Sequence, residues 1–195
     1  AQNLRKGREL LAEARRIGAR NEREAGFIAA LSELYGSEDP ATHRARLERY
    51  EQAMAQLHQR FPDDAEVGIH YALALVMAAP PTDKTYARQN RAAEILEREW
   101  VRQPQHPGVA HYLIHTYDTP ALAPRGIAAA GKYAGIAADA PHALHMPSHI
   151  FTRVGRWEDS IETNRRSAET ARARESIFDE VHALDYMVYG YLQTG

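Results

Sequence analysis

The chain has 195 residues, with 24 Lys+Arg against 26 Asp+Glu for a net charge of −2, ten histidines and no cysteine. This length allows one domain or a run of repeats around a real core, and the balanced charge argues against a nucleic-acid groove or an anionic membrane surface as the main partner. The longest apolar run, residues 71–81, stops at eleven residues and ends in two prolines, too short for a membrane span, while the lack of cysteine excludes disulfides, thiolate zinc sites and cysteine nucleophiles.

Thirty-four residues are alanine, and the polar remainder is rich in Glu, Arg and Gln, all good helix formers. Apolar residues recur every three or four positions, which is the helical period. Leu4, Leu10, Leu11, Ala14 and Ile17 suit a first helix ended by Gly18. Asn21 with Glu24 reads as a capping box for a second, running through Phe27, Leu31 and Leu34 to a break at 37–40. A third spans 42–60 and stops before Pro62. Asp63 with Glu66 reads as another capping box, opening a helix over 65–78 that ends in a proline turn at 79–83. Helices over 86–102, 108–117, 125–137, 144–154, 157–173 and 179–192 complete an all-α chain of about ten helices in one domain, 1–195.

A repeat underlies this order. Pro107 and Pro141 are 34 residues apart, as are His111 and His145, and His115 and His149. Thirty-four is the tetratricopeptide period, one helix pair per repeat. Gly155 and Trp157 at a helix turn, followed by small Ser160 and Ala168, add that repeat's marks. The register predicts repeats at about 19–62, 63–107, 108–141 and 142–178, with a half repeat at 179–195. The expected fold is a tetratricopeptide-like right-handed superhelix of antiparallel helix pairs. Its first helices carry a polar pair four residues apart: Glu66 and His70 after Pro62, His111 and His115, His145 and His149, then His182 and Tyr186. The expected core faces are Ala110, Leu113, Ile114 and Tyr117 in one helix and Leu144, Ser148 and Phe151 in the next.

Residues at i and i+4 share a helix face, and packed helix axes lie about 8–10 Å apart, so imidazoles from neighbouring first helices can converge on one ion. The expectation is a metal site of His111, His115, His145 and His149, flanked by His182 and His70. Asp118 and Asp185 are placed to complete the shell or to orient an imidazole from outside it. Imidazole suits zinc, copper, nickel or iron, and zinc or copper is the leading choice. Two other readings stand beside this one: a metal-free groove that binds a peptide or partner protein, and a metalloenzyme with Asp118 or Asp185 as base. His43, His58, His106 and His142 read as solvated or capping residues. No Gly-x-Ser-x-Gly elbow, Gly-rich phosphate loop or His-Glu-x-x-His signature is present, and Tyr112 stands where a zincin needs its glutamate.

Three long motifs, His111-Tyr-Leu-Ile-His115-Thr-Tyr-Asp118, then His142-Ala-Leu-His145-Met-Pro-Ser-His149-Ile-Phe151 running into Gly155-Arg-Trp157, and His182-Ala-Leu-Asp185-Tyr186, together with Pro80-Pro-Thr-Asp-Lys-Thr-Tyr86, resemble a group of bacterial tetratricopeptide-repeat proteins with no assigned reaction. The resemblance runs from about Asp64 to the last residue, and His70 stands where the group carries an aromatic. It implies the helical-repeat fold and, from the other members, a longer chain and export. The register makes the first helix of this chain a second-type helix and the last a first-type helix. Together with a start at Ala1, without methionine or a signal-like stretch, this predicts either a piece of a longer array or a homo-oligomer through open terminal repeats.

Overall fold

The computed structural model describes residues 2–195, and among them the chain is eleven α-helices and one 3-10 turn, without strand. The helices fall into two compact units, one ending at Ile95 and one running from Leu96 to Gly195, with the division inside a helix.

In the first unit, α1 (Gln2–Ile17) buries no residue and ends at Gly18, whose φ of +86° is open to glycine at no steric cost. Helix α2 (Glu22–Leu34) starts as its cap predicts, with the Asn21 side chain accepting from the Glu24 N–H at 2.9 Å. The reciprocal half of the box is displaced by one residue, because the Glu24 carboxylate accepts from the Arg20 N–H. A 3-10 turn (Pro40–Thr42) leads into α3 (His43–Arg60). The cap of α4 (Ala65–Ala78) is Asp64 and not Asp63: its carboxylate accepts from the Val67 N–H at 3.0 Å and also holds Arg23. The hydrogen bonds and the Arg23 pair hold the Asp64 carboxyl below its usual pKa range, although burial opposes them. Tyr50, Met54, Leu57 and Val67 form the core of this unit, with Phe27, Leu31 and Tyr71 packed around it.

Helix α5 (Ala87–Arg102) contains the division between the units. The second unit then runs through α6 (Pro107–Tyr117), α7 (Ala123–Ile136), α8 (Pro141–His145), α9 (Pro147–Arg153), α10 (Trp157–Ala173) and α11 (Ile177–Thr194). Helix α6 packs on α7, α8 and α9 pack on α10, and α10 packs on α11. Helix α9 also meets α6, and α8 meets α11, so the first helices of successive repeats are neighbours. All seven side chains expected in the core of these repeats are buried.

Pro107 and Pro141 each occupy the first position of their helices, where a missing N–H costs nothing. The two helices thus begin at matching residues, and His111 and His145 are both the fifth residue of their helices. Pro62, by contrast, lies in the turn before α4. The single helix expected over 144–154 begins three residues earlier and is interrupted, since Pro147 has no N–H to donate. Met146 keeps helical dihedrals (φ −51°, ψ −38°), so His145 and His149 still share a face across the interruption.

Candidate metal centre

Six imidazoles gather on the first helices of the second unit, in two groups of three: His111, His115 and His142, and His145, His149 and His182. Within each group one ligand nitrogen per residue lies within 4.8 Å of the others. In the first group, His111 Nε2 is 3.1 Å from His115 Nε2 and 3.2 Å from His142 Nε2. In the second, His145 Nε2 is 3.1 Å from His149 Nε2, and the His182 ring lies with its centroid 4.4 Å from that of His145.

The second group shows which nitrogens are free to bind. His145 is buried, and its Nδ1 is 2.7 Å from the Asn164 Oδ1. Asn164 is itself buried and donates its amide N–H to the Ser160 carbonyl, which leaves its oxygen as the acceptor. His145 therefore carries its proton on Nδ1. His149 Nδ1 donates to the Asp118 carboxylate at 2.9 Å, and Asp118 is anchored in turn by Arg153 at 2.8 Å. Both Nε2 atoms then present lone pairs to one another at 3.1 Å, a contact that a shared proton or a cation relieves. An imidazole whose second nitrogen is held by an amide or carboxylate is the usual arrangement of a metal-ligating histidine.

Electrostatics favours the neutral, ligating form. Burial, reinforced by the neighbouring imidazoles, lowers His111 to about 3 and His115 to about 4. His142 keeps an exposed edge, yet desolvation of its ring within the cluster pushes it down as well, against the opposing charge of Asp179. Burial likewise takes His145 to about 3, against the opposing hydrogen bond that it donates to Asn164. Burial raises the Asp118 carboxyl, but its bonds to His149 and Arg153 outweigh this and hold it below the usual range. In the unfolded chain the same imidazoles protonate near 6.5. Between about 6.5 and 3 the unfolded state thus binds more protons than the folded one, so stability is fully present above that window and is lost as pH falls through it. Urea unfolding in EDTA should accordingly show a midpoint that declines from pH 7 to pH 4.5. A midpoint independent of pH over that range contradicts the assignment.

The structure sorts the expected residues. His111, His115, His145, His149 and His182 come together, and Asp118 orients His149. Asp185 is exposed on the wall of a cleft of about 460 Å³ beside His149 and belongs to neither group. His70 lies in the first unit, with Nδ1 2.8 Å from the Glu66 carbonyl and its ring edge-on to Phe27. His142, read from sequence as a cap, joins the first group because α8 already starts at Pro141 and so includes it. Its signal was the 3-and-4 spacing of His142, His145 and His149, a single helical stripe. His106 caps α6 through Nδ1 and the Val109 N–H, where a solvated residue was expected.

Paired helices in a 34-residue register, with histidines at equivalent positions of their first helices, define an all-α tetratricopeptide-like protein. The solved structure of MamA MSR-1 C2, a protein of tetratricopeptide fold, is similar to it over 86% of this chain and 97% of that one, with a TM-score of 0.50 and 16% identity. At that identity the likeness speaks for the fold. No family model matches the chain, and no curated protein matches it.

Proposed function

We propose that this is a tetratricopeptide-type binding protein whose histidine cluster holds a transition metal, zinc or copper, in its second unit. The observation that carries the reading is the pair of buried or half-buried Nε2 lone pairs facing one another at 3.1 Å, each fixed by a partner on the opposite ring nitrogen. Two nitrogens bound to one tetrahedral ion at about 2.0–2.1 Å lie about 3.3–3.4 Å apart, so this pair needs only a small adjustment. An all-imidazole donor set fits zinc and copper better than magnesium or calcium, which take oxygen. Each group offers three ligands, which leaves a fourth position for water, a small anion or a side chain of a bound partner. Export and membership of the bacterial repeat group are parts of this reading that rest on the motif resemblance alone.

A metal-free interaction scaffold is the second reading. It draws on the tetratricopeptide-like fold and on the exposed apolar side chains of α11, among them Phe178, Val181, Val188 and Leu192. Such a face suits a partner protein or a second copy of this chain. Calorimetric titration of untagged, EDTA-stripped protein with zinc and with copper separates the two. The metal reading predicts saturable, stoichiometric binding that His115→Ala with His149→Ala abolishes. Absence of binding in the wild type leaves the scaffold.

A further inference from the structure

The six histidines form two threes and not a single six, and this bears on how many ions the cluster takes. Each group is centred on one ring: His111 stands 4.8 Å from His115 and 5.1 Å from His142 between centroids, and His145 stands 5.0 Å from His149 and 4.4 Å from His182. Between groups the spacing opens to 6.0 Å for His115 and His149 and 6.1 Å for His142 and His145. Rings sharing one tetrahedral ion, with nitrogens about 3.3–3.4 Å apart, need the closer spacing. Each group mixes residues from two neighbouring first helices, α6 with α8 in one and α8 and α9 with α11 in the other. The His111/His115 and His145/His149 pairs repeat along the helix register, and each is completed by a histidine of the following first helix.

We propose that the chain binds two transition-metal ions in adjoining three-histidine sites, one on His111, His115 and His142 and the other on His145, His149 and His182. This rests on the metal reading above and extends it from one ion to two. Helix α8 supplies His142 to the first site and His145 to the second, so it ties the sites together. None of the six ligands can bring a negative charge to the ions, and Asp118, behind His149, is a carboxylate hydrogen-bonded to one of them. Two adjoining cations so held favour an anionic ligand, such as hydroxide, in their open positions.

The test is metal content by elemental analysis after the untagged, full-length chain has been saturated with zinc and exhaustively dialysed, alongside a cobalt(II) titration followed by its visible absorption. His142 is exposed and His182 half-buried, so His142→Ala and His182→Ala leave the core intact, as circular dichroism would confirm. Two ions per chain are expected in the wild type, with a cobalt break at two equivalents, and one ion in each variant. One ion in the wild type, or a variant that loses both ions or neither, overturns the two-ion proposal while the metal reading stands. No ion in the wild type overturns both.

Discussion

His145→Ala is expected to destabilise the metal-free protein by about 2–4 kcal/mol, whereas His182→Ala, three helices' worth of sequence later in the same group, should cost less than about 1 kcal/mol. The difference follows from surroundings and not from residue type. His145 is 2% exposed and pinned by Asn164, which is 0% exposed and bonded on its other side to the Ser160 carbonyl. Truncation leaves a cavity between α8 and α10 and strands a buried amide oxygen. His182 sits on α11, half open to solvent, and its ring is held only by aromatic neighbours such as Phe178 and Tyr186. Urea unfolding in EDTA reads both values. Adding Asn164→Ala to His145→Ala should cost less than the sum of the two single changes, because they share one hydrogen bond. Equal costs for His145→Ala and His182→Ala, or strict additivity with Asn164→Ala, contradict this account of the site.

The second large effect is stabilisation by metal. An ion bound only by the folded chain stabilises it by about 2.7 kcal/mol at a hundred times its dissociation constant. For a chain of this size that corresponds to about 5–11 °C in Tm. Zinc or copper added to stripped protein at pH 7.5 should produce a rise of this order, and EDTA should reverse it. The His115→Ala with His149→Ala variant should show no rise. Because the lowered pKa values of His111, His115 and His145 delay proton competition, the rise should persist at pH 5.5, below the ordinary imidazole value. A shift below about 1 °C in the wild type, or an equal shift in the double variant, contradicts ligation by these residues.

The repeat register makes most of the second unit legible in the sequence. Prolines 34 apart marked the starts of α6 and α8, and the histidine pairs four residues apart fell on one face because the helical period demands it. The buried faces of α6, α8 and α9 followed from the same period. What escaped sequence reading turned on single backbone groups. Asp64, and not Asp63, caps α4 because only its side chain meets the Val67 N–H, and two adjacent aspartates do not advertise which will do so. A helix start at Leu144 leaves His142 as a cap; the proline at the first helical position moves the start back and brings His142 into the cluster. A register counted from Pro62 puts His70 level with His115 and His149, but Pro62 lies in a turn, and His70 bonds to its own helix at the Glu66 carbonyl. The partners that set tautomers were least legible, since Asn164 lies 19 residues from His145 and Asp118 lies 31 from His149.

Asp118 links the two levels of the site. It follows α6 directly, one residue beyond Tyr117, and reaches across to His149 and Arg153 on α9. The carboxylate that ends the first helix of one repeat thus orients a histidine of the next. The same contacts commit both Asp118 oxygens, one to a ring N–H and one to a guanidinium.

The most direct measurement is the metal content of untagged protein, purified without chelator and washed free of loosely held ions, set beside the same preparation of the His115→Ala with His149→Ala variant. The account predicts zinc or copper at whole-number stoichiometry in the wild type and background levels in the variant. Background levels in both, with no metal taken up from a zinc or copper solution, would contradict it.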